Sequence, residues 1–328
     1  MLGKQNLGEQ VSACNEVWIM GEMLVEIMRP SPGVKFHEIS EFLGPFPSGA
    51  PAIFINTITR LGHSGAIIGG IGQDGFGRCL LDRLTSNGVD CRYVKSIPNK
   101  STAVAFVTYF KDGSRKFIYH IDNTPASMIE APKIKNILNP KFFHVMGCSL
   151  MINERFRKSI LKTVKMFVKA GAKITFDPNI RVELMGKKNI NDIIKPVMIN
   201  CSILFPGIGE LKLLTNENDI EKGIRKLFSK NNHLEIIVLK KGKKGCSIYT
   251  KNDKFNIPAF NIREVDPTGA GDCFDAGFLC GLLESKSITE SGKIAAAAGA
   301  LNAAAFGPME GDITPDSVRK LMKTSGEK

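Results

Sequence analysis

Residues 266–272, Asp-Pro-Thr-Gly-Ala-Gly-Asp, join a glycine turn to a carboxylate at the start of an apolar helix. Gly269 and Gly271 lack the Cβ atoms that would keep a phosphate from the backbone, and the free N–H groups of a helix N-terminus attract anions. Asp272 lies beside this anion site, where a carboxylate can accept a proton from an alcohol that attacks a γ-phosphate. The segment therefore predicts a phosphoryl-transfer site. An isolated Asp at a helix start, however, more often only stabilises the helix by interacting with its dipole.

Short runs of β-branched residues alternate with helical patterns along most of the 328 residues. This alternation predicts an α/β fold in which helices flank both faces of a doubly wound, mostly parallel sheet. Strands are predicted at residues 17–20, 66–71, 142–146, 173–176, 202–205 and 236–239, and helices at about 50–61, 76–87, 154–170, 221–228, 269–284 and 290–306. Open α/β sheets bind ligands beyond the carboxyl ends of their strands, and Glu26 follows the first strand.

Two regions break the alternation because they contain strand-like residues without intervening helices. These are residues 24–46 and 102–121. They are predicted to form a small separate sheet. Within the second region, residues 103–110 and 115–121 are expected to pair as a β-hairpin around a turn that contains Gly113.

The composition limits the class of protein. Hydrophobic residues make up 43% of the chain, which is enough for one large α/β domain with a small appendage. The 44 basic and 32 acidic residues give a net charge of +12. Four of the lysines, Lys158, Lys162, Lys165 and Lys169, fall at helical spacing on the solvated face of an amphipathic helix, and this distribution disfavours nucleic-acid binding.

The cysteines and the N-terminus indicate a cytoplasmic protein. The eight cysteines show neither Cys-x-x-Cys pairs nor metal spacing, which is typical of reduced thiols. Residues 1–14 are predicted to be a flexible polar tail without a signal sequence, and no stretch reaches the ~18 consecutive apolar residues of a membrane span. The five histidines are dispersed, without the spacing of a zinc site or a hydrolase triad.

The phosphoryl-transfer segment, followed by a helix rich in Phe, Ala and Gly, resembles the signature of the ribokinase-like (PfkB) carbohydrate kinases. The resemblance extends, in the family's order, through residues 65–89, 176–181, 204–214 and 238–245. It is nearest in character to the 2-keto-3-deoxygluconate kinase and fructokinase branches. It implies an ATP-dependent kinase domain over residues 15–328, with residues 24–46 and 102–121 forming a lid over the sugar and sometimes the surface of a homodimer.

The resemblance also implies roles for the residues of the motif. Asp272 would be the base that takes a proton from a substrate hydroxymethyl group. The backbone amides of Gly269, Ala270 and Gly271 would stabilise the charge that develops on the γ-phosphate. Arg181, which closes the segment Asp-Pro-Asn-Ile-Arg at residues 177–181, would assist at the anionic end of the cleft.

On the substrate side, the resemblance implies that Glu26, Gly49 and Ala50 contact the sugar. Two departures leave its identity open. The family's Gly-Gly-x-x-x-Asn segment has Ile53 at the position of the Asn, and an aliphatic side chain cannot replace that amide. The lid segment at residues 119–121 also lacks the arginine that keto-deoxygluconate kinases use for a sugar acid, so a neutral hexose such as fructose is equally compatible.

The nucleotide and metal positions are implied in the same way. Three places in the chain match the nucleotide side of the family. They are Lys240, Gly242 and Gly245 in a lysine-rich loop, Gly269 and Gly271 in the phosphoryl-transfer segment, and Asn302 on an alanine-rich helix. Glu210 matches a residue that holds Mg²⁺ through water, and magnesium is expected with ATP because it neutralises phosphate charge. Asp266 and Thr268 match positions that supply oxygen ligands to a monovalent cation such as K⁺.

Two alternative hypotheses keep the same fold. A nucleoside kinase would stack a base near the lid, where Phe106, Tyr109 and Phe117 are available. A non-catalytic sensor would bind sugar and nucleotide without forming a product.

A third alternative, a dinucleotide-dependent oxidoreductase, follows from a literal Gly-x-Gly-x-x-Gly at Gly70, Gly72 and Gly75. The position of this glycine loop in the sequence disfavours the oxidoreductase hypothesis. The loop lies about 50 residues beyond the first strand, and Asp90 precedes the next strand-like residues instead of ending a strand.

Overall fold

The computed structural model describes residues 14–134, 136–185 and 189–324. The predicted N-terminal tail, apart from Cys14, lies outside the described residues. The strands are β1 Val17–Met20, β2 Leu24–Met28, β3 Leu43–Ser48, β4 Gly65–Gly72, β5 Asp90–Ile97, β6 Ala103–Tyr109, β7 Arg115–His120, β8 Phe142–Met146, β9 Lys173–Asp177, β10 Cys201–Leu204, β11 Ile236–Lys240, β12 Cys246–Tyr249 and β13 Lys254–Ile257.

The helices alternate with most of these strands. They are α1 Ala50–Arg60, α2 Gly75–Ser86, α3 Pro125–Met128, α4 Gly147–Met151, α5 Glu154–Lys169, α6 Val182–Met185, α7 Ile190–Met198, α8 Ile208–Thr215, α9 Ile220–Lys230, α10 Ala270–Leu283, α11 Ile288–Ala303 and α12 Pro315–Thr324. None of the helices in the described ranges is long and apolar enough to cross a membrane.

Two sheets make up the fold. The central sheet has the strand order β13-β12-β11-β10-β9-β8-β1-β4-β5, and its strands from β11 to β5 run parallel, whereas β12 and β13 are antiparallel. The second sheet has the order β3-β2-β6-β7 and is built from the two regions that lack intervening helices. We call this second sheet the lid sheet. The predicted α/β fold with a small separate sheet is confirmed.

Helices α10 and α11 pack closely because small residues face each other. A Cβ atom added to Gly277 would lie 3.0 Å from the Cα atom of Ala295, and one added to Gly281 would lie 2.6 Å from that of Ser291. Ten residues of α10 are buried, so this helix is held on nearly all sides. This packing fixes the N-terminus of α10 relative to the sheet.

The boundaries of α11 differ from the prediction. The helix begins at Ile288, two residues earlier than expected, because Ser287 and Glu290 form a capping box. It ends at Ala303, short of the predicted residue 306. The backbone N–H groups of Val265 and Asp266 donate hydrogen bonds to the Ala303 carbonyl, so the end of α11 supports the segment that leads into α10.

Candidate active site

A cavity of about 190 Å³ lies between the carboxyl edge of the central sheet, the lid sheet and the N-terminus of α10. Parallel strands end at a shared edge, so residues that are distant in sequence meet here. Most of the predicted site residues line this cavity: Glu26, Gly49, Ala50, Arg181, Glu210, Lys240, Thr268, Gly269, Gly271 and Asp272.

The turn before α10 requires glycine at Gly269. Its φ is +77°, and a Cβ atom there would lie 2.4 Å from the carbonyl oxygen of Pro308. A Cβ atom on Gly271 would instead have Lys240 Nζ as its nearest neighbour, at 3.9 Å, so this face of the helix start is open toward the cavity. The first N–H groups of a helix have no intrahelical partner and attract anions. Ala270 is less available than predicted, because its N–H group already bonds the Pro267 carbonyl at 3.3 Å.

The Asp272 carboxyl group lies at this helix start and is only 7% exposed. Burial, together with the charge of Asp177, raises its pKa to about 7. Asn179 Nδ2 donates a hydrogen bond to Asp272 Oδ1 at 3.3 Å. A carboxylate whose pKa lies near neutral pH exchanges protons efficiently, which is the property that a general base needs.

The turn after β9 brings two polar side chains to the cavity. Asn179 has a φ of +35°, which asparagine tolerates better than most residues, and its N–H group bonds Asp177 Oδ1 at 3.1 Å. The Arg181 guanidinium lies 5.8 Å from the centroid of the Phe117 ring. Burial alone would lower the pKa of Arg181, but Tyr119, Cys148 and the nearby aspartates raise it above its ordinary value. Sequence reasoning assigned a role to Arg181 and none to Asn179.

Lys240 ends β11 in a buried cluster with two aspartates. Its Nζ atom lies 2.7 Å from Asp177 Oδ2 and 3.2 Å from both carboxyl oxygens of Asp275. Burial acts to lower the pKa of Lys240, but the two aspartates and Glu210 raise it, so the side chain stays charged. Burial raises the pKa of Asp275, whereas Lys240 holds that of Asp177 low despite its burial. Asp275, which the sequence analysis did not single out, therefore lies with Asp177 beside a single positive charge.

Replacing Lys240 with Met is expected to destabilise the fold by about 3–5 kcal/mol, because one buried aspartate charge loses its partner. The free energy of unfolding, measured in urea, reports the loss. Lys244 is the matched control, since it is exposed on the turn that follows and Lys244→Met removes the same charge. Equal unfolding free energies for the two variants would show that the cluster does not support the fold.

Comparisons with known proteins show the family to which the chain belongs. The model of the family described as "pfkB family carbohydrate kinase" matches residues 16–315. The chain belongs to this family. The kinase is also 33% identical over 317 residues to probable fructokinase-5 of Arabidopsis thaliana, covering 94% of this chain and 97% of that protein. This match confirms the fructokinase side of the predicted resemblance, whereas the keto-deoxygluconate side is not confirmed.

Solved structures place the kinase in the same fold. A putative ribokinase II from E. coli, in complex with ATP and Mg²⁺, superposes with a TM-score of 0.87 and 35% identity over 94% of this chain and 99% of that one. A fructokinase double mutant from Vibrio cholerae O395, bound to fructose, ADP and a potassium ion, shares the fold with a TM-score of 0.80 and 24% identity over 96% and 99% of the two chains. The chain is thus a carbohydrate kinase, which transfers a phosphoryl group from ATP to an alcohol group of a sugar.

Two buried glutamates line the sugar side of the kinase cavity. Glu26 Oε1 accepts a hydrogen bond from Ser48 Oγ at 2.7 Å, and its Oε2 atom is buried without a partner among the described residues. Burial raises the pKa of Glu26 to about 7. Glu22 accepts hydrogen bonds from Cys148 and Ser149, and burial raises its pKa as well. The sequence analysis assigned substrate contact to Glu26 and did not single out Glu22.

The start of α1 closes the same side. Gly49 has a φ of +100°, and a Cβ atom there would lie 2.7 Å from the Glu22 carbonyl oxygen, so the backbone approaches closely. Ile53 lies one turn further along α1 and lines the cavity. Its Cγ2 atom would be 3.2 Å from a Cβ atom on Gly269, which places this aliphatic side chain beside the anion site.

The lid strand β7 contributes three side chains, of which the sequence analysis considered only Phe117, as a stacking residue for the nucleoside kinase alternative. Arg115, Phe117 and Tyr119 alternate along the strand and line the cavity. The rings of Phe117 and Tyr119 stack with centroids 5.5 Å apart. Because alternate residues of a strand share one face, Arg115 reaches the cavity although residue 121 is not an arginine.

The remaining nucleotide-side predictions lie outside the cavity lining. Gly245 has a φ of +81°, and a Cβ atom there would meet the Ile257 carbonyl oxygen at 2.0 Å, so this glycine is required by the turn between β11 and β12. Gly242 begins the short 3₁₀ turn with a φ of +57°. Asn302 is fully buried, and its Nδ2 atom donates to the Thr268 carbonyl at 2.7 Å. In this structure Asn302 supports the loop before α10 and presents no surface to a nucleotide.

Glu210 lies at the cavity edge, where its carboxylate caps backbone N–H groups. Its Oε2 atom accepts from the Gly207 N–H group at 2.7 Å and its Oε1 atom from the Ile180 N–H group at 2.8 Å. Burial, with the charge of Asp177, raises its pKa. Each oxygen keeps a further lone pair that can accept from a water molecule. Among the residues that the structure describes, no cluster of three acidic, His or Cys side chains forms a metal site.

The oxidoreductase hypothesis is wrong. A Cβ atom on Gly70 would lie 2.4 Å from the Pro125 carbonyl oxygen, and one on Gly72 would lie 2.2 Å from the Lys100 carbonyl oxygen. These glycines therefore serve close packing against neighbouring backbone. Asp74, which caps α2, binds the N–H and hydroxyl groups of Thr102, both at 2.7 Å, and so fixes the start of the lid hairpin.

Proposed function

We propose that this kinase transfers the γ-phosphoryl group of ATP to a hydroxymethyl group of a ketohexose such as fructose. The proposal depends on one observation: Asp272 is buried at the open N-terminus of α10, inside a cavity that the lid sheet covers. The name of the Arabidopsis relative, which this chain matches over nearly its whole length, supports fructose as the acceptor.

In the proposed mechanism Asp272 accepts the hydroxyl proton while the sugar oxygen forms a bond to the γ-phosphorus. The bond from that phosphorus to the oxygen of the leaving ADP breaks. The N–H groups at the start of α10, chiefly those of Gly271 and Asp272, stabilise the charge on the phosphoryl oxygens, and Arg181 adds a positive charge nearby. Glu26, with one buried oxygen free of protein partners, accepts a hydrogen bond from a sugar hydroxyl.

Magnesium fits this site through water. Glu210 retains lone pairs that can accept hydrogen bonds from metal-bound water, and the E. coli structure contains ATP with Mg²⁺. When bound, the ion would neutralise the charge of the phosphate groups. The Nζ atom of Lys240 lies near Gly271, so its positive charge supports nucleotide binding beside the anion site.

The lid sheet is proposed to close over the sugar and to keep water from the γ-phosphate. Its face opposite Arg115, Phe117 and Tyr119 carries Ile118, which is 41% exposed. We propose this face as the surface of a homodimer. We also propose a cytoplasmic location, because all eight cysteines are free thiols.

A panel of acceptors tests the proposed function. ADP release is measured with fructose, glucose, ribose, 2-keto-3-deoxygluconate and a set of nucleosides, and the phosphorylated carbon is assigned by ³¹P–¹H NMR. Fructose is expected to give the highest kcat/KM, with phosphate on a hydroxymethyl carbon. A preference for nucleosides, or binding of ATP and fructose without product, would contradict the proposal.

The rate should rise with pH through the titration of Asp272. Its pKa of about 7 is raised in the folded protein, so below that pH the carboxyl group is protonated and cannot accept the hydroxyl proton. We expect kcat/KM for fructose to fall about tenfold per pH unit below this value.

Glu26 provides the control for this profile, because its pKa is also about 7. The Glu26→Gln variant removes this second carboxyl group and leaves Asp272 in place. The acidic limb should persist in Glu26→Gln, with weaker sugar binding. Loss of the limb in that variant would assign the titration to Glu26 and contradict the role of Asp272.

A further inference from the structure

The predicted ligands of a monovalent cation are already bound by protein groups. Asp266 is fully buried. Its Oδ1 atom accepts from the Tyr109 hydroxyl at 3.0 Å and from Thr268 N and Oγ1 at 3.0 and 2.7 Å, and its Oδ2 atom accepts from the Gly307 N–H group at 3.0 Å. Each carboxylate oxygen has about two lone-pair sites, so the three donors fill Oδ1, whereas Oδ2 keeps one site.

The oxygens of Thr268 are engaged as well. Its hydroxyl oxygen accepts from Arg115 Nη1 at 2.8 Å while it donates to Asp266. Its carbonyl oxygen accepts from Asn302 Nδ2 at 2.7 Å. Asp266 Oδ1 and the Thr268 hydroxyl are therefore fully occupied, and Asp266 Oδ2 and the Thr268 carbonyl oxygen keep one lone pair each, so the side chains of the two predicted residues do not form a K⁺ coordination shell.

A positive charge is nevertheless present at this place. The guanidinium group of Arg115 carries a permanent charge and is separated from the Asp266 carboxylate by the single hydroxyl of Thr268. Tyr109 and Arg115 are cross-strand partners at the turn end of the lid hairpin, so one rung of the lid sheet supplies both contacts. Thr268 immediately precedes Gly269, so these contacts hold the turn that forms the anion site.

We infer that Arg115, assisted by Tyr109, takes the place of a monovalent cation beside the phosphoryl-transfer segment, so that this kinase works without K⁺. The two side chains are positioning residues, since they act on the turn and not on the reacting atoms. The inference rests on the proposed function only where turnover with fructose is measured, and not where the unfolding temperature is measured. It also connects the lid sheet to the anion site, because Tyr109 and Arg115 of the hairpin bond Asp266 and Thr268 in the turn before α10.

A salt series on the wild-type kinase is the first test. Turnover with ATP and fructose is measured in KCl and in tetramethylammonium chloride at equal ionic strength, and the thermal unfolding temperature is measured in the same salts. Both quantities are expected to be the same in the two salts. A requirement for K⁺ in turnover, or an unfolding temperature raised by K⁺ alone, would overturn the inference.

The second test removes the internal charge. Arg115→Met is expected to lower kcat/KM roughly 10- to 100-fold in tetramethylammonium chloride, because a charge-assisted hydrogen bond is lost. K⁺ is expected to restore part of this loss and to raise the unfolding temperature of the variant, because Thr268 and Asp266 become open to a cation. Lys116→Met is the control, since Lys116 is exposed on the opposite face of the same strand.

The outcomes of the two tests are distinguishable. If Arg115→Met matches Lys116→Met in both salts, by activity and by unfolding temperature, the inference is wrong. If the wild-type kinase forms no product from fructose in either salt, the proposed function fails. The unfolding temperatures of the wild type and of Arg115→Met then still decide whether Arg115 replaces the cation.

Discussion

Replacing Asp272 with Asn is expected to lower kcat by about 10²- to 10⁴-fold, the usual contribution of a positioned general base. The amide has the same shape and can still accept the hydrogen bond from Asn179, but it cannot accept the hydroxyl proton. Steady-state kinetics with ATP and fructose measure the loss. Nucleotide affinity, measured by calorimetry, should be retained, because the N–H groups at the start of α10 are unchanged.

The same variant makes a prediction about stability that separates loss of function from loss of fold. The pKa of Asp272 is raised on folding, so any stability gained from its protonation is lost as the pH rises through about 7. A neutral Asn avoids the burial of a charge above that pH. The variant should therefore unfold at the same or a higher temperature than the wild type at alkaline pH. Near-normal turnover in a folded Asp272→Asn variant would remove the base from the mechanism.

The phosphoryl-transfer segment could be predicted because its parts are contiguous in sequence. The turn, the helix start and the carboxylate all lie within residues 266–272, and each has a local signal. The partners of these groups lack such a signal. Asn179 lies 93 residues from Asp272, and Asp177 lies 63 residues from Lys240. The parallel order of β9, β10 and β11 brings Asp177 to Lys240, and the position of α10 at the same edge of the sheet brings Asp272 to Asn179. A single sequence does not specify which charged residues will pair.

The lid arginine shows why strand periodicity must be followed along a whole element. The resemblance to keto-deoxygluconate kinases implied an arginine two residues after Tyr119, but residue 121 is Ile. In the structure Arg115 enters from the other end of β7, on the face that also carries Phe117 and Tyr119. The alternation was visible in the sequence, but the orientation of the strand over the cavity was not.

The edge strands were missed for a related reason. β5 contains Asp90, Arg92 and Lys95, and its residues are exposed or half-buried, so it lacks the apolar run that marked the inner strands. Tertiary pairing with β4 determines that this segment is a strand. The six inner parallel strands were predicted to within a residue or two because burial on both faces demands continuous apolar residues, whereas the antiparallel strand β12, although buried, was not predicted.

The two glycines before Asp272 have different physical roles. Gly269 is required by its backbone conformation and by the approach of the Pro308 carbonyl oxygen. Gly271 has a helical position with open space toward the cavity, so nothing in the unliganded fold demands a glycine there. A glycine that the fold does not need, at a place that a phosphate would occupy, indicates that the ligand requires it.

Replacing Gly271 with Ala is therefore expected to leave the fold intact and to stop phosphoryl transfer. Ala in a helix is roughly 0.5–1 kcal/mol more favourable than Gly, so the unfolding temperature should not fall. The added methyl group would hold the phosphate away from the N–H groups, and kcat/KM should drop about 10²- to 10³-fold, as when one donor to a developing oxyanion is lost. Calorimetry with fructose alone should show unchanged affinity.

Gly269→Ala is the matched comparison for this prediction, because it adds the same methyl group two residues earlier. It should lose both stability and activity, since a Cβ atom there clashes with Pro308 and φ is +77°. The contrast between the two variants separates a glycine needed for the turn from one needed for the phosphate. Wild-type kinetics in Gly271→Ala would show that the γ-phosphate does not approach this helix start, and the anion site would then have to lie elsewhere in the cavity.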